Sequence, residues 1–518
     1  MRIRVCLAIV SLVSIVTVPA VAQEPKTKRP NIVIVLADDM GYGDLACYGN
    51  TVIKSPNLDK FATQGMRFTQ GYSASGVCSP SRSAILTGRT PYRNGVFNWI
   101  PENSEVHLRT SEITIATLLR RLGYATCHVG KWHLNGMFNN PKQPQPNDHG
   151  YDWWLATQNN AAPSHKNPNN YVRNGKAIGE VKGFSSQIIV DEAIQWLEKE
   201  RDKDKPFLLS VWFHEPHLPI ESDPKFQANY PDLIKSDPDK AQHHGNITQA
   251  DDAFGRLMQA LAKMNLADDT IVIFTSDNGP EGNGLKMRTR GSTGGLRGRK
   301  RSVYEGGIRV PFMVRWPGHV PAGKTSDQPV VGTDIFATLC KITRTPPPKD
   351  RVIDAVSFVP AFSGKEIERK GPMYWRCPIA PEEFKIAMRV GDHTILANPE
   401  LTKFEMYNLK TDVKQTDDLV AKEPQKFEAM KQALKKLNAE IEAEGPDWWK
   451  GKEVAPKKKD AKKIDKLSRE FDGEPSPVRG RLSQPAPYVT RLDMFTFSWK
   501  SIRFDQHPQA AAARAAAS

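Results

Sequence analysis

The hydrophobic pattern of the chain divides it into long apolar runs and amphipathic stretches. Ile32 to Leu36 is an unbroken apolar run that stops at Ala37-Asp38-Asp39. Runs of this kind suit strands buried on both faces of a parallel sheet, where no polar alternation is needed. Phe207 to Phe213 and Thr270 to Ser276 have the same character. Between them, apolar residues recur at helical spacing. Ser55-Pro56-Asn57 reads as a helix start, with Leu58, Phe61 and Ala62 on one face. Ser111 to Leu122 carries Ile113, Ile115, Leu118 and Leu119, and Gln187 to Glu200 and Ile247 to Met264 continue the series. Strands alternating with helices over this length predict an α/β fold, a large sheet with helices on both faces. Polar clusters directly follow the strands: Asp38-Asp39, His214 to His217 and Asp277-Asn278. Open α/β sheets bind ligands at the carboxyl ends of their strands, so the pattern predicts one site assembled from distant segments.

From about Pro372 the pattern changes. Met373 to Arg376, Lys385 to Val390, Thr394 to Ala397 and Phe404 to Leu409 read as short strands of a hairpin-rich sheet. Glu423 to Glu444 is a charged amphipathic helix with Phe427, Met430, Leu434, Leu437 and Ile441 on one face. After Trp448-Trp449 the chain becomes irregular, with a lysine-rich stretch from Lys452 to Lys466, Pro-rich pieces and an Ala-rich end. This composition predicts a mostly disordered basic tail over 450–518, with Phe495, Phe497 and Trp499 as one docked strand at most.

The first residues add a compartment. Arg2 and Arg4 precede an apolar stretch from Cys6 to Val18, and Ala20-Val21-Ala22 is a small-x-small cleavage site. These parts predict a signal peptide over 1–22, cut after Ala22, and a secreted or periplasmic protein. The apolar run is short for a membrane span, and no later segment is long and apolar enough for one. The domains expected are therefore a catalytic α/β unit over 23–371, a smaller α+β unit over 372–449 and the tail. A hydrophobic fraction of 39%, with 11 Trp and 21 Phe in 518 residues, supports a packed core. A formal charge of +14 attracts polyanions. A secreted protein meets sulfated glycans more readily than nucleic acid, so no nucleic-acid partner is expected; a generally basic, soluble surface is the plain alternative. Six cysteines, Cys6, Cys47, Cys78, Cys127, Cys340 and Cys377, form neither a zinc spacing nor a disulfide framework.

The candidate chemistry begins with oxygen. Asp38, Asp39, Asp277 and Asn278 offer only hard ligands, which select Ca²⁺ or Mg²⁺ over zinc. Taken singly, an Asp-Asp pair is usually a cap and Asp-Asn-Gly a tight turn. Together, three gathered carboxylates require a cation between them. Cys78-Ser79-Pro80-Ser81-Arg82 suits the start of a helix, with Pro80 and Ser81 in the first turn and Ser79 as the cap. Cys78 would then lie at the positive end of a helix dipole. The ordinary alternatives are a buried structural cysteine or a thiolate nucleophile paired with a histidine.

Cys78-x-Pro80-x-Arg82, followed by Thr87-Gly88-Arg89 and preceded by Asp38-Asp39, resembles the type I sulfatase family. Ser276-Asp277-Asn278-Gly279, Gly130-Lys131-Trp132-His133, Pro216-His217-Leu218-Pro219 and Lys300 before Tyr304-Glu305-Gly306-Gly307 resemble that family's other motifs, in its order, from about Pro30 to Leu419. The similarity is greatest to the arylsulfatase A and N-acetylgalactosamine-6-sulfatase branch, as found in secreted bacterial polysaccharide-degrading enzymes. The resemblance implies an alkaline-phosphatase-like fold, a large mixed sheet flanked by helices, with a smaller antiparallel C-terminal sheet. It implies that a maturation enzyme oxidises Cys78 to formylglycine (3-oxoalanine), whose hydrate is the nucleophile. It assigns one Ca²⁺ to Asp38, Asp39, Asp277, Asn278 and the modified Cys78. Arg82 would hold the hydrate, Lys131, His217 and Lys300 the sulfate, and His133 the formylglycine. Asn160 falls where the family usually has a hydroxyl residue, and would donate to sulfate. The implied reaction is hydrolysis of a sulfate monoester, with Asp277 as a proton acceptor, Lys300 or His217 protonating the alcohol and His133 acting in turnover of the enzyme. A sulfated carbohydrate is the expected substrate. A formylglycine-dependent phosphate or phosphonate ester hydrolase and a non-catalytic polyanion-binding protein are the competing readings.

Overall fold

The computed structural model describes residues 29–282 and 290–445. The segments expected to be a signal peptide and a basic tail lie outside the described residues. Ten strands form one mixed sheet, in the spatial order Lys324–Ser326, Met66–Phe68, Phe312–Arg315, Thr270–Ser276, Asn31–Ala37, Phe207–Trp212, Ala125–Lys131, Trp153–Thr157, Val172–Arg173 and Lys176–Ala177. The five from Thr270–Ser276 to Trp153–Thr157 are parallel; Phe312–Arg315 and Val172–Arg173 pair antiparallel at either side. The unbroken apolar runs have the reason given for them. Ile32, Ile34 and Leu36 enter one core while Val33, Val35 and Ala37 enter the core on the opposite face.

Helices Pro56–Gln64, Ser185–Gln195 and Pro238–Lys263 cover the second face, and Cys78–Thr87, Ile115–Arg121 and Asp334–Thr343 the first. Two helix starts differ from the pattern. The helix expected from Ser111 begins at Ile115, because the Thr114 hydroxyl accepts the Thr117 N–H and caps it there. The helix expected from Ile247 begins nine residues earlier at Pro238, where Asp237 caps it through the Lys240 N–H. Its buried histidines and asparagine in that added part do not read as an apolar face.

Met373–Arg376, Ile386–Val390, His393–Ala397 and Phe404–Asn408 form a separate antiparallel meander. The helix Pro424–Glu444 places Met430, Leu434 and Ile441 against Met388, Ile395 and Met406. The other face, with Trp375, Ala387, Leu396 and Tyr407, packs on Tyr72, Val77 and Ala84 beside the start of the Cys78 helix. No helix among the described residues is long and apolar enough to cross a membrane. Cys47, Cys78, Cys127, Cys340 and Cys377 are all unpaired.

Candidate active site

Neighbouring parallel strands end at one level, and the site is built on those ends. Ala37 pairs with Ser276, Leu36 with Trp212, and Lys131 with Thr157. The residues that follow therefore converge: Asp38-Asp39, Asp277-Asn278, Lys131 with His133, His217 and Asn160. Gly130 has a φ of +105°, and a Cβ there would stand 1.8 Å from the Trp212 carbonyl oxygen, so glycine alone lets the strand deliver Lys131.

Cys78 is the first residue of the helix Cys78–Thr87, which is buried throughout. Ser79 is not its cap. Extended Val77 occupies that position, and Ser79 lies inside the first turn, where its hydroxyl accepts the Ile100 N–H at 3.1 Å. The free N–H groups of a helix start favour an anion beside Cys78. Burial pushes the Cys78 thiol up, against the pull of Lys131 and Lys300. A thiol held protonated is a poor nucleophile.

Three buried carboxylates crowd this point, each met by a cation. Asp38 takes Lys131 Nζ at 2.5 Å. Asp277 takes Arg82 Nη2 at 2.6 Å and Nε at 3.1 Å, and Arg82 Nη1 donates to the Lys131 carbonyl at 3.0 Å. Asp39 takes Lys300 Nζ at 2.7 Å. Burial raises the Asp38 carboxyl, but Lys131, His217, Arg82 and Lys300 outweigh it and hold it well below the usual range. Burial and then the charge of Asp38 push Asp277 up to about 7, against Arg82 and Lys131.

Two oxygens in this cluster have no partner. Asp38 Oδ1 and Asn278 Oδ1 are buried and accept nothing from the protein. Asn278 spends its amide on Asp39 Oδ1, at 2.7 Å, and on the Gly279 carbonyl. His217 Nδ1 donates to the Leu218 carbonyl at 2.5 Å, which leaves the Nε2 lone pair 3.6 Å from Asp39 Oδ2. Ligand atoms of Asp38, Asp39 and His217 lie within 4.8 Å of one another. Orphaned buried oxygens among carboxylates are the donor set of a hard divalent cation, so the residues present fit Ca²⁺ or Mg²⁺.

His133 has a defined tautomer. Its Nε2 lies 2.9 Å from the Ile100 carbonyl and must donate to it, while Nδ1 is buried without a partner. Burial, with Lys131 and Arg82, drives its pKa well below the ordinary 6.5. The ring is thus a neutral base with a free lone pair. Asn160 Oδ1 stands 3.5 Å from Lys131 Nζ, at the edge of contact.

Each residue expected from the sequence stands in or beside this cluster. Others were not foreseen. Arg82 lies over the Trp212 ring, 5.3 Å from its centroid, on the strand leading to His214. His214 is a buried strut between Thr157 and Ser185, at 2.7 Å from each hydroxyl. Glu281 contacts Lys300 and Arg301. For Glu281 a signal existed, a lone acid just after Asp277-Asn278-Gly279-Pro280 set against the basic run Arg297 to Arg301. The prolines on either side of His217 single it out in the sequence, but nothing there announces the strut made by His214.

The family profile described as Sulfatase matches residues 30–345, and that described as N-sulphoglucosamine sulphohydrolase, C-terminal, matches 298–443. The human N-acetylgalactosamine-6-sulfatase is 32% identical over 376 residues, covering 67% of this chain and 68% of its own. The N-acetylgalactosamine-6-O-sulfatase of Bacteroides thetaiotaomicron is 31% identical over 407 residues, 66% of this chain and 78% of its own. The crystal structure of Ps i-CgsB superposes with a TM-score of 0.71 at 26% identity, over 81% of this chain and 94% of that one. Ps i-CgsB has also been crystallised in complex with k-i-k-neocarrahexaose.

Proposed function

The chain belongs to the sulfatase family and is a sulfuric ester hydrolase, and from that premise we propose that it desulfates a carbohydrate at a Ca²⁺-dependent site whose nucleophile derives from Cys78. The observation that carries this reading is the pair of orphaned oxygens, Asp38 Oδ1 and Asn278 Oδ1, beside a cysteine whose thiol is pushed up. Formylglycine at position 78 would supply a hydrated aldehyde oxygen as nucleophile, and Ca²⁺ would supply Lewis-acid polarisation.

The chain's own residues do the rest. Asp38, Asp39, Asp277 and Asn278 hold the cation. Arg82, pinned by Asp277 and the Lys131 carbonyl, presents fixed positive charge at the helix start. Lys131, His217 and Lys300 take the sulfate oxygens and stabilise charge on the transferring group. Asn160 lines the same side through its approach to Lys131. Burial works against the Lys300 charge, but Asp39 and Glu281 outweigh it and raise its pKa, so Lys300 serves as a fixed cation. His217 is then the group that would pass a proton to the departing alcohol, which requires Nε2 to be protonated first, since the neutral ring keeps its Nδ1–H on the Leu218 carbonyl. His133 accepts a proton at Nδ1, the atom its bond to Ile100 leaves free. A sulfated sugar is supported by the names of the relatives, by the oligosaccharide bound to Ps i-CgsB and by the basic chain. Secretion through residues 1–22 fits such a substrate.

The test uses enzyme made in a host with the maturation enzyme. Turnover is measured on a panel of sulfated monosaccharides, on 4-nitrophenyl sulfate and on the matching phosphate ester. Sulfate esters should dominate, chelation should abolish turnover, and Ca²⁺ should restore it. Full activity after exhaustive chelation, or preference for the phosphate ester, overturns the reading.

A further inference from the structure

Two cations compete for Asp39 in the proposed site. Lys300 Nζ sits on its carboxylate at 2.7 Å. The same carboxylate belongs to the oxygen cluster that fits Ca²⁺. An ammonium drawn fully onto Asp39 neutralises a metal ligand, while a dication at Asp39 repels the ammonium. Holding both requires a second anion for Lys300 that takes no part in the metal site.

Glu281 meets that requirement. Its Oε2 lies 3.5 Å from Lys300 Nζ. The carboxylate is itself fixed: Arg301 grips it through two nitrogens, at 2.5 and 3.0 Å, and the Gly282 N–H donates to it at 3.0 Å. The backbones are joined as well. Lys300 N–H donates to the Pro280 carbonyl at 3.0 Å, and Arg299 donates twice to the Glu281 carbonyl, at 3.1 and 2.9 Å. The Arg301 N–H bonds the Gly76 carbonyl, two residues before Cys78. Glu281 is therefore part of a hydrogen-bonded corner that faces Lys300 and stands three residues beyond Asn278.

We infer that Glu281 is a positioning residue that shares the Lys300 ammonium with Asp39 and so keeps Asp39 available to the bound cation. The inference rests on the cation reading above. It makes Glu281 and Lys300 energetically coupled in Ca²⁺ affinity, a quantity separate from turnover.

The experiment is a double-mutant cycle on the full matured chain, with Ca²⁺ itself as the probe, by calorimetric titration or chelator competition. E281Q keeps an oxygen for Arg301 but removes the charge. It should weaken Ca²⁺ binding by about 5-fold or more, a common size for coupling between neighbouring sites. K300A should bind Ca²⁺ more tightly than the parent. In the K300A background E281Q should change Ca²⁺ affinity by less than about 2-fold, since the competitor it restrains is gone. A merely structural role would weaken binding equally in both backgrounds. Should E281Q not fold, E281D with its shorter reach carries the same comparison. Unchanged Ca²⁺ affinity in the Glu281 variant, or a loss that persists without Lys300, overturns this inference alone. A parent enzyme that binds no Ca²⁺ overturns the cation reading, and this inference with it.

Discussion

At the scale of single residues, the site was legible wherever chemistry fixes the residue type. Asp38, Asp39, Asp277 and Asn278 could be gathered from the sequence because hard cations take oxygen ligands and because all four follow apolar runs. Cys78 could be singled out because Pro80 and Arg82 accompany it. What escaped were residues whose role is set by three-dimensional neighbours, such as Trp212 under Arg82. Two predictions belong here. Cys78→Ser is nearly isosteric and should fold with an unchanged thermal midpoint, yet lose turnover. Peptide mass spectrometry of the parent should find position 78 as an aldehyde; a fully reduced thiol in active enzyme would overturn the assignment. The second prediction concerns pH. In the proposed reaction His133 acts through its unprotonated Nδ1, and burial, Lys131 and Arg82 lower its pKa. A lowered pKa keeps the base form populated as pH falls through the ordinary 6.5. The acid limb of kcat/KM assigned to His133 should therefore lie below 6.5, and His133→Ala should cost about 10²–10⁴-fold, as loss of a general base does. An acid limb above 6.5 would show that His133 is not the titrating base.

At the scale of elements, strands buried on both faces were easy to see, and polar or short ones were not. Ala125–Lys131 contains Thr126, His128 and Gly130 and carries no unbroken apolar signal, yet it is buried along its whole length. Its polar side chains are buried in different ways: the Thr126 hydroxyl donates to the Gly150 carbonyl, whereas His128 packs edge-on to Trp132 and Trp212 with both ring nitrogens lacking a hydrogen-bond partner. Helix ends were misjudged for a related reason. A cap is a local hydrogen bond, and Thr114 offers one where apolar spacing alone extends the helix back to Ser111. The strand that carries Lys131 also gives the most direct test of how an element positions chemistry. Gly130→Ala places a methyl group against the Trp212 carbonyl at a φ that alanine avoids. It should destabilise the protein by at least ~2 kcal/mol and lower activity beyond what the lost stability explains, because Lys131 is the next residue. A variant with parental thermal midpoint and activity would show that the strand yields there at little cost.

At the scale of the whole molecule, the change near Pro372 from long apolar runs to short strands was visible in the sequence, but the way the C-terminal meander and helix pack on the rest was not. The join is partly apolar, through Trp375 and Tyr407 against Tyr72 and Val77. It is also an ionic clasp around the segment that follows the Cys78 helix. Arg93, 2% exposed, reaches Glu444 at 2.5 Å and Glu440 at 2.6 Å on the C-terminal helix, and Asp354 at 3.1 Å on the catalytic side. Arg89, also buried, bonds Glu112 at 2.8 Å and meets the same Glu444. The pairs to Glu440 and Glu444 span more than three hundred positions of sequence, so no local pattern announces them. Their worth follows from burial. The arginines have lost their water, and removing one leaves its carboxylates without compensation, whereas the partly exposed Glu440 and Glu444 recover some hydration. Arg93→Ala should therefore cost about 2 kcal/mol, less than the 3–5 of a fully buried pair. The cost should fall on the docking of the helix Pro424–Glu444 rather than on the chemistry. Limited proteolysis should cut that helix sooner in the variant than in the parent, while kcat at low temperature stays within about 2-fold, as for a change remote from the site. Equal proteolysis rates with a parental thermal midpoint would show that the apolar contact alone holds the meander and helix in place.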